Sequence, residues 1–353
     1  MIKVLIVDDS AVEIEFLDYM LGSDSDIKVI GKVRDGEDAI QFLTHTKPDV
    51  ITMDIHMPNM DGYEATKIIM ETNPVPIVIV SASSGKDVDK TYKAIQAGAL
   101  AFVEKPVGFS HPDFDIVKNN LIQTVKLMSE VKVVKRRFRA DTENKSQVAV
   151  LNNFIGLQPK EYSVIVIGVS TGGPVVLQTL LSRLPENFSI PIIIVQHIAS
   201  GFLSGLTEWL SGTTSLKYKV PENNEVIKEG YVYFAPDDYN IGISGNNRIV
   251  LSKDEMENGL RPSISYLFRS AANNYADKTI GIILTGMGKD GAAELKLMRD
   301  KGALTIAQDK ESSIVFGMPN EAIKLNAAQY ILQPEKIASL LIKLEAENNG
   351  GSK

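Results

Sequence analysis

Short runs of consecutive aliphatic and β-branched residues, each breaking off at a polar residue or a glycine, recur through this 353-residue chain and limit the folds open to it. In residues 1 to 106 they fall at Lys3–Val7, Val29–Val33, Val50–Met53, Ile77–Val80 and Ala101–Val103. Between them apolar residues take helical spacing, as with Val12, Phe16, Leu17 and Met20. A strand apolar at every position has both faces covered, and its alternation with helices is the rhythm of a parallel, doubly wound α/β sheet. Further on, Val164–Ile167, Ile190–Val195 and Thr279–Leu284 repeat the pattern. Between the last two, Lys217 to Leu251 holds several short strands, including a hairpin of NIGIS and RIVLS turned at Gly245-Asn246-Asn247.

The length suits two domains, and a hydrophobic share of 44% supports well-packed cores. No apolar run approaches the roughly 18 residues of a membrane span, so no membrane insertion is expected. MIKVLIVDDS passes straight into acidic residues, unlike a signal peptide. With no cysteine there is no disulfide framework or thiolate chemistry, and the expected compartment is the cytoplasm. A net charge of −7 argues against nucleic acid as a partner. From Asp113 to Arg139 apolar residues keep helical spacing, so the last helix of the first domain is expected to run on into a linker with a basic end, Lys132, Lys135, Arg136, Arg137 and Arg139. ADTENKSQ, 140 to 147, reads as flexible. The expected division is 1–125, a linker over 126–159, a second domain over 160–346 and a disordered tail over 347–353.

Strand ends are where a parallel sheet gathers its ligands. In the first domain Asp8 and Asp9 follow the first strand, Asp54 ends the third, Ser81 the fourth and Lys105 the fifth. Clustered carboxylates suit a hard cation such as Mg2+, and an ammonium and a hydroxyl beside a carboxylate nucleophile suit acceptance of a phosphoryl group.

In the second domain the first strand breaks into Gly168-Val169-Ser170-Thr171-Gly172, the spacing of a nucleophile elbow, with Pro174 able to open a helix. A lysine is missing for a phosphate loop, and Ser170 replaces the second glycine of a dinucleotide loop. His197 is the one histidine of this domain and follows the second strand. Asp290 follows Thr279–Leu284 in a glycine-rich turn, where it could also serve as a helix cap. Arg261-Pro262-Ser263 is expected to open another helix. Serine, histidine and aspartate at three strand ends permit acyl transfer, and their chain order differs from that of the α/β-hydrolases.

VDDS, MDIHMPNMDG, VSASS and EKP resemble a response-regulator receiver domain, and GVSTGGP, VQH, APDDY, RPSISYLF, LTGMGKDG and AQDKESSIVFGMP resemble the catalytic domain of the CheB family of chemotaxis protein-glutamate methylesterases. The resemblance implies a flavodoxin-like (βα)5 receiver followed by a doubly wound, mainly parallel α/β catalytic domain with an antiparallel hairpin. It implies Asp54 as phospho-acceptor, Asp8, Asp9, Asp54 and the backbone carbonyl of His56 around Mg2+, Ser81 and Lys105 on the phosphoryl group, and Phe102 as an aromatic switch. It further implies a Ser170, His197 and Asp290 triad needing no cofactor, with Thr171 and the N–H of Met287 at the oxyanion. The implied partners are chemoreceptor (methyl-accepting chemotaxis protein) cytoplasmic helices as substrate and the histidine kinase CheA as phosphodonor. The implied activity is hydrolysis of glutamate methyl esters, with deamidation of certain glutamines, released when phosphorylation repacks a receiver that otherwise covers the catalytic face. After His197, Ile198–Phe202 departs from the family's frequent Met-Pro and leaves the shape of the substrate groove open. A binding module without turnover, an esterase for a non-chemoreceptor protein and a DNA-binding regulator are the alternatives.

Overall fold

The computed structural model describes residues 1–81, 85–105, 108, 111, 114–131, 133, 160–257 and 259–350, in two compact units, Met1–Asp141 and Thr142–Lys353. The first runs β1 (Ile2–Val7), α1 (Ala11–Gly22), β2 (Ile27–Val33), α2 (Gly36–Phe42), β3 (Val50–Asp54), α3 (Gly62–Thr72), β4 (Ile77–Ser81), α4 (Gly85–Ala97), β5 (Ala101–Glu104) and α5 (Phe114–Ser129). Its strands are all parallel in the order β2-β1-β3-β4-β5. Every residue of β3 and β4 is buried, as their unbroken apolar runs require. Ser10, Asp35 and Asp61 cap α1, α2 and α3 by accepting from the N–H groups of Glu13, Asp38 and Glu64.

The last helix does not continue as its spacing suggested. It ends at Ser129, with a turn at Glu130, so Val131 is not part of it. Val125 and Met128 are fully buried and Lys126 pairs with Asp24 and Asp26 at 2.7 and 3.0 Å, so this last turn belongs to the first unit's core and not to a linker beginning at 126. The five basic residues from Lys132 to Arg139 and the polar stretch 140–147 lie outside the described residues.

The second unit runs β6 (Val164–Val169), α6 (Gly173–Leu181), β7 (Ile192–Gln196), α7 (Leu203–Thr213), β8 (Lys217–Lys219), β9 (Tyr231–Phe234), β10 (Asn240–Ser244), β11 (Arg248–Ser252), α8 (Ile264–Asn274), β12 (Thr279–Ile283), α9 (Ala292–Asp300), β13 (Leu304–Gln308), α10 (Met318–Lys324), β14 (Tyr330–Leu332) and α11 (Pro334–Gly350). Seven strands form a parallel sheet in the order β14-β13-β12-β6-β7-β9-β8. The antiparallel hairpin β10-β11 stands apart from it, held to α8 by Ser270, whose Oγ accepts from the N–H of Ile243 and donates to its carbonyl. All these strands run the same way, but the order in which they are added reverses between β12 and β6, a switch point of the kind that places ligands at the carboxyl ends of the strands.

Two expectations change. Pro262 precedes α8 without opening it; Ser263 is the cap, its Oγ accepting from the N–H of Tyr266, a bond a proline cannot replace. The C-terminal stretch forms α11 as far as Gly350, where a disordered tail from 347 was expected; only 351–353 lie outside the described residues. Ile337, Leu340, Leu341 and Leu344 are buried. Polar residues of this helix are hydrogen-bond partners: Glu345 accepts from the Oγ of Ser189, and Asn348, inside the expected tail, accepts from the N–H of Tyr162 and donates to its carbonyl, at 3.1 and 3.0 Å. Among the described residues no helix is long and apolar enough to cross a membrane. Replacing Asn348 by alanine should cost about 1–2 kcal/mol, the worth of two such bonds, read as a lower melting midpoint in calorimetry of the full chain.

Candidate functional site

The carboxyl edge of the first sheet brings together the residues singled out from sequence. Ligand oxygens of Asp8, Asp9 and Asp54 all lie within 4.8 Å of one another. Asp8 and Asp54 are buried, and the ammonium of Lys105 sits 3.1 Å from each. Burial pushes the Asp54 carboxyl up to about 6, and the neighbouring Asp8 adds to this against the opposing pull of Lys105. Three carboxylates answered by one lysine leave an excess of negative charge at a set of oxygen donors, which fits a hard divalent cation such as Mg2+. Ser81 is buried at the end of β4, and His56 follows Asp54 by two residues. Phe102 meets the ring of buried Tyr92 edge-on at 5.8 Å. Sequence reasoning missed Glu13: from the first turn of α1 it feels both Lys105 and Asp8, and burial raises its carboxyl above the ordinary range.

In the second unit Ser170, His197 and Asp290 follow β6, β7 and β12, which are neighbours in the sheet. The register sets Val169 opposite Gln196, and the N–H of His197 donates to the carbonyl of Val169 at 2.9 Å, so serine and histidine leave adjacent strands side by side. Nε2 of His197 lies 3.2 Å from Oδ2 of Asp290. Asp290 caps a helix, but not the one that follows it. Its carboxylate sits on the amino end of α8, accepting from Ser263 Oγ (3.2 Å), Ile264 N–H (2.7 Å) and Ser265 N–H (3.2 Å). Burial alone would raise this carboxyl, but His197, Ser265 and the Ile264 N–H outweigh it and hold it at about 2.

The elbow itself is wired by its carbonyls. Ser170 N–H donates to Thr285 O (3.0 Å), Ser170 O accepts from the N–H of Gly173 and from Nε2 of Gln196, and Thr171 O accepts from the Oγ1 of Thr285. Gly172 takes φ +78°, a left-handed turn that a side chain would strain, and α6 begins at the next residue. With the carbonyls turned inward, the N–H groups of Thr171 and Met287 have no hydrogen-bond partner among the described residues, and Met287 is partly exposed. The segment after His197 is pinned by Asp237, which accepts from Gly201 N–H at 2.8 Å and Ser200 Oγ at 3.2 Å. Gln196, Thr285, Ser263 and Ser265 were not legible as site residues, because each acts on a group distant from it in sequence.

A receiver-type sheet carrying a carboxylate cluster, joined in one chain to a parallel α/β domain with serine, histidine and aspartate at its carboxyl edge, defines a response regulator with a serine-hydrolase-type output domain. Residues 4–111 match the family of response regulator receiver domains, and residues 165–341 match CheB methylesterase. The chain belongs to the CheB methylesterase family. It is 50% identical to a Syntrophus aciditrophicus (strain SB) protein called protein-glutamate methylesterase/protein-glutamine glutaminase 1, over 98% of each chain. It is likewise 50% identical to a Nitrosospira multiformis protein of the same name without the numeral, again over 98% of each. Its second unit resembles the crystal structure of the Thermotoga maritima CheB methylesterase catalytic domain, 40% identical with a TM-score of 0.50, covering 52% of this chain and 100% of that one.

The depressed Asp290 carboxyl makes stability depend on pH. Its folded value lies below the ordinary carboxylate range, so its contribution of about 2 kcal/mol is present in full above pH ~4 and is lost as the pH falls toward about 2. Urea unfolding of wild type and Asp290→Asn across pH 2 to 6 should give a stability gap that closes as the pH drops.

Proposed function

We propose that this chain hydrolyses glutamate methyl esters on the cytoplasmic helices of chemoreceptors, and deamidates particular receptor glutamines, under control of phosphorylation at Asp54. The observation that carries the reading is the His197–Asp290 contact beside an elbow serine, with two backbone N–H groups in the adjoining turns that have no partner among the described residues. The Oγ of Ser170 attacks the ester carbonyl as His197 takes its proton, and the carbonyl oxygen becomes an oxyanion bound by the N–H groups of Thr171 and Met287. Collapse of the tetrahedral species expels methoxide, which takes the proton from His197 and leaves as methanol. Water, deprotonated by the same imidazole, then attacks the acyl-serine and returns Ser170 and a free glutamate. With glutamine the leaving group is ammonia. Asp290 stays ionised throughout, which its low value ensures, and stabilises the imidazolium formed in each half-reaction. One oxyanion donor in such a site is worth roughly 3 kcal/mol. Each turnover leaves one more negative charge on a receptor helix, enough to bias a helix-bundle equilibrium.

In the receiver, Asp54 is the phospho-acceptor, Asp8, Asp9, Asp54 and the His56 carbonyl would hold Mg2+, and Lys105 and Ser81 would contact the phosphoryl oxygens. The cation would neutralise the phosphodonor and the crowded carboxylates together. The phosphodonor is a histidine kinase of the CheA type, and Phe102 reports phosphorylation through its contact with Tyr92. The setting is the cytoplasm.

Ser170→Ala should lower methanol release from methylated receptor membranes by about 10³-fold or more, and equal release would overturn the triad. Asp54→Asn, or removal of Mg2+ with EDTA, should abolish the activation that a small phosphodonor such as acetyl phosphate gives wild type, leaving basal methanol release intact. Activation surviving in Asp54→Asn would move the phospho-acceptor elsewhere.

A further inference from the structure

Ser170 and His197 are each the first residue beyond a strand, and the last backbone bond between β6 and β7, from the N–H of His197 to the carbonyl of Val169, leaves Ser170 with no backbone bond of its own to β7 among the described residues. What spans that gap is the side chain of Gln196. It is 4% exposed, and its amide nitrogen donates both hydrogens, one to the carbonyl of Ser170 (3.0 Å) and one to the carbonyl of His197 (2.8 Å). The two acceptors fix which end of the carboxamide is nitrogen. The group works as an extra rung, made by a side chain, between the nucleophile turn and the base.

Two features argue that this rung serves the reaction and not the core. The carboxamide oxygen of Gln196 is buried with no hydrogen-bond partner among the described residues, a cost an apolar side chain of the same size would avoid. The elbow has also been shaped around that oxygen: a Cβ at Gly173 would lie 2.0 Å from it, so the first residue of α6 must be glycine while Gln196 is present. A sequence that leaves a buried acceptor unpaired and restricts a neighbouring position keeps the amide for what its nitrogen does.

We infer that Gln196 is a positioning residue for acyl transfer, holding the Ser170 turn and the His197 backbone in fixed register so that Oγ and the imidazole meet. This deepens the esterase reading and rests on it. A misplacement of about 1 Å between reacting groups costs on the order of 100-fold in rate.

The test uses the full chain, with methanol release from methylated receptor membranes and covalent labelling of Ser170 by a small p-nitrophenyl phosphonate ester, which needs the nucleophile and base but no receptor groove. Gln196→Met keeps the volume and removes both donors. It should lower kcat and the labelling rate together by roughly 10- to 100-fold, with KM within about twofold of wild type and a melting midpoint no lower than that of wild type. Gln196→Glu removes the donors when ionised and restores one when protonated, so its labelling rate relative to wild type should rise as the pH is lowered from 8 to 5. A merely structural glutamine would give a lower melting midpoint, an unchanged labelling rate per folded molecule and no pH-dependent recovery, and any labelling rate within twofold of wild type in Gln196→Met overturns the inference. If wild type itself neither labels at Ser170 nor releases methanol, it is the esterase reading that has failed.

Discussion

A carboxylate seated on the amino end of a helix organises the catalytic domain. Asp290 is almost fully buried, a placement that is costly for a charge unless donors surround it, and α8 supplies a hydroxyl, two backbone N–H groups and the favourable end of its dipole. The same helix carries the hairpin β10-β11 through Ser270, and its cap residue Ser263 donates its N–H to the side chain of Asn240 at the hairpin's start. The loop after β12, the helix and the hairpin are thus tied to one anionic centre. The imidazole of His197 meets that centre from the other side.

The two acidic centres of the chain show how far surroundings set the character of one residue type. Asp54, at the end of β3, and Asp290, in the turn after β12, are both buried aspartates, yet burial and Asp8 raise one to about 6 while hydrogen-bond donors hold the other at about 2. A carboxyl that is reluctant to be charged alone suits a group waiting for a cation and a phosphoryl transfer. One held firmly as an anion suits a partner for an imidazolium.

Strands and their order of chemistry were legible because a buried parallel strand announces itself as an unbroken apolar run, and the polar residue that ends it is the one that reaches the crevice. Asp8, Asp54, Ser170 and His197 stand out this way, while Asp290 lies farther on, in the glycine-rich turn after β12. What was illegible depends on contacts between distant segments. Nothing local in RPSIS says that Ser263 and Ser265 would grip an aspartate 25 to 27 residues on, and Gln196 reads as an ordinary strand end until the register places Ser170 beside it. Polarity misled at the C-terminus, where Asn348 fell in the expected tail and instead satisfies the backbone N–H and carbonyl of Tyr162. Periodicity misled in α5, since helical spacing does not say where a turn will stop it.

The bond between Asn348 and Tyr162 joins positions 186 residues apart, at the very end of the chain and just before the first strand of its domain. A ribosome releases the receiver's five strands early, and they can pair while the rest is still being made. The catalytic domain has to wait for α11, which follows every other described element of that domain. The regulatory half of the protein is therefore able to fold before the half it regulates is complete.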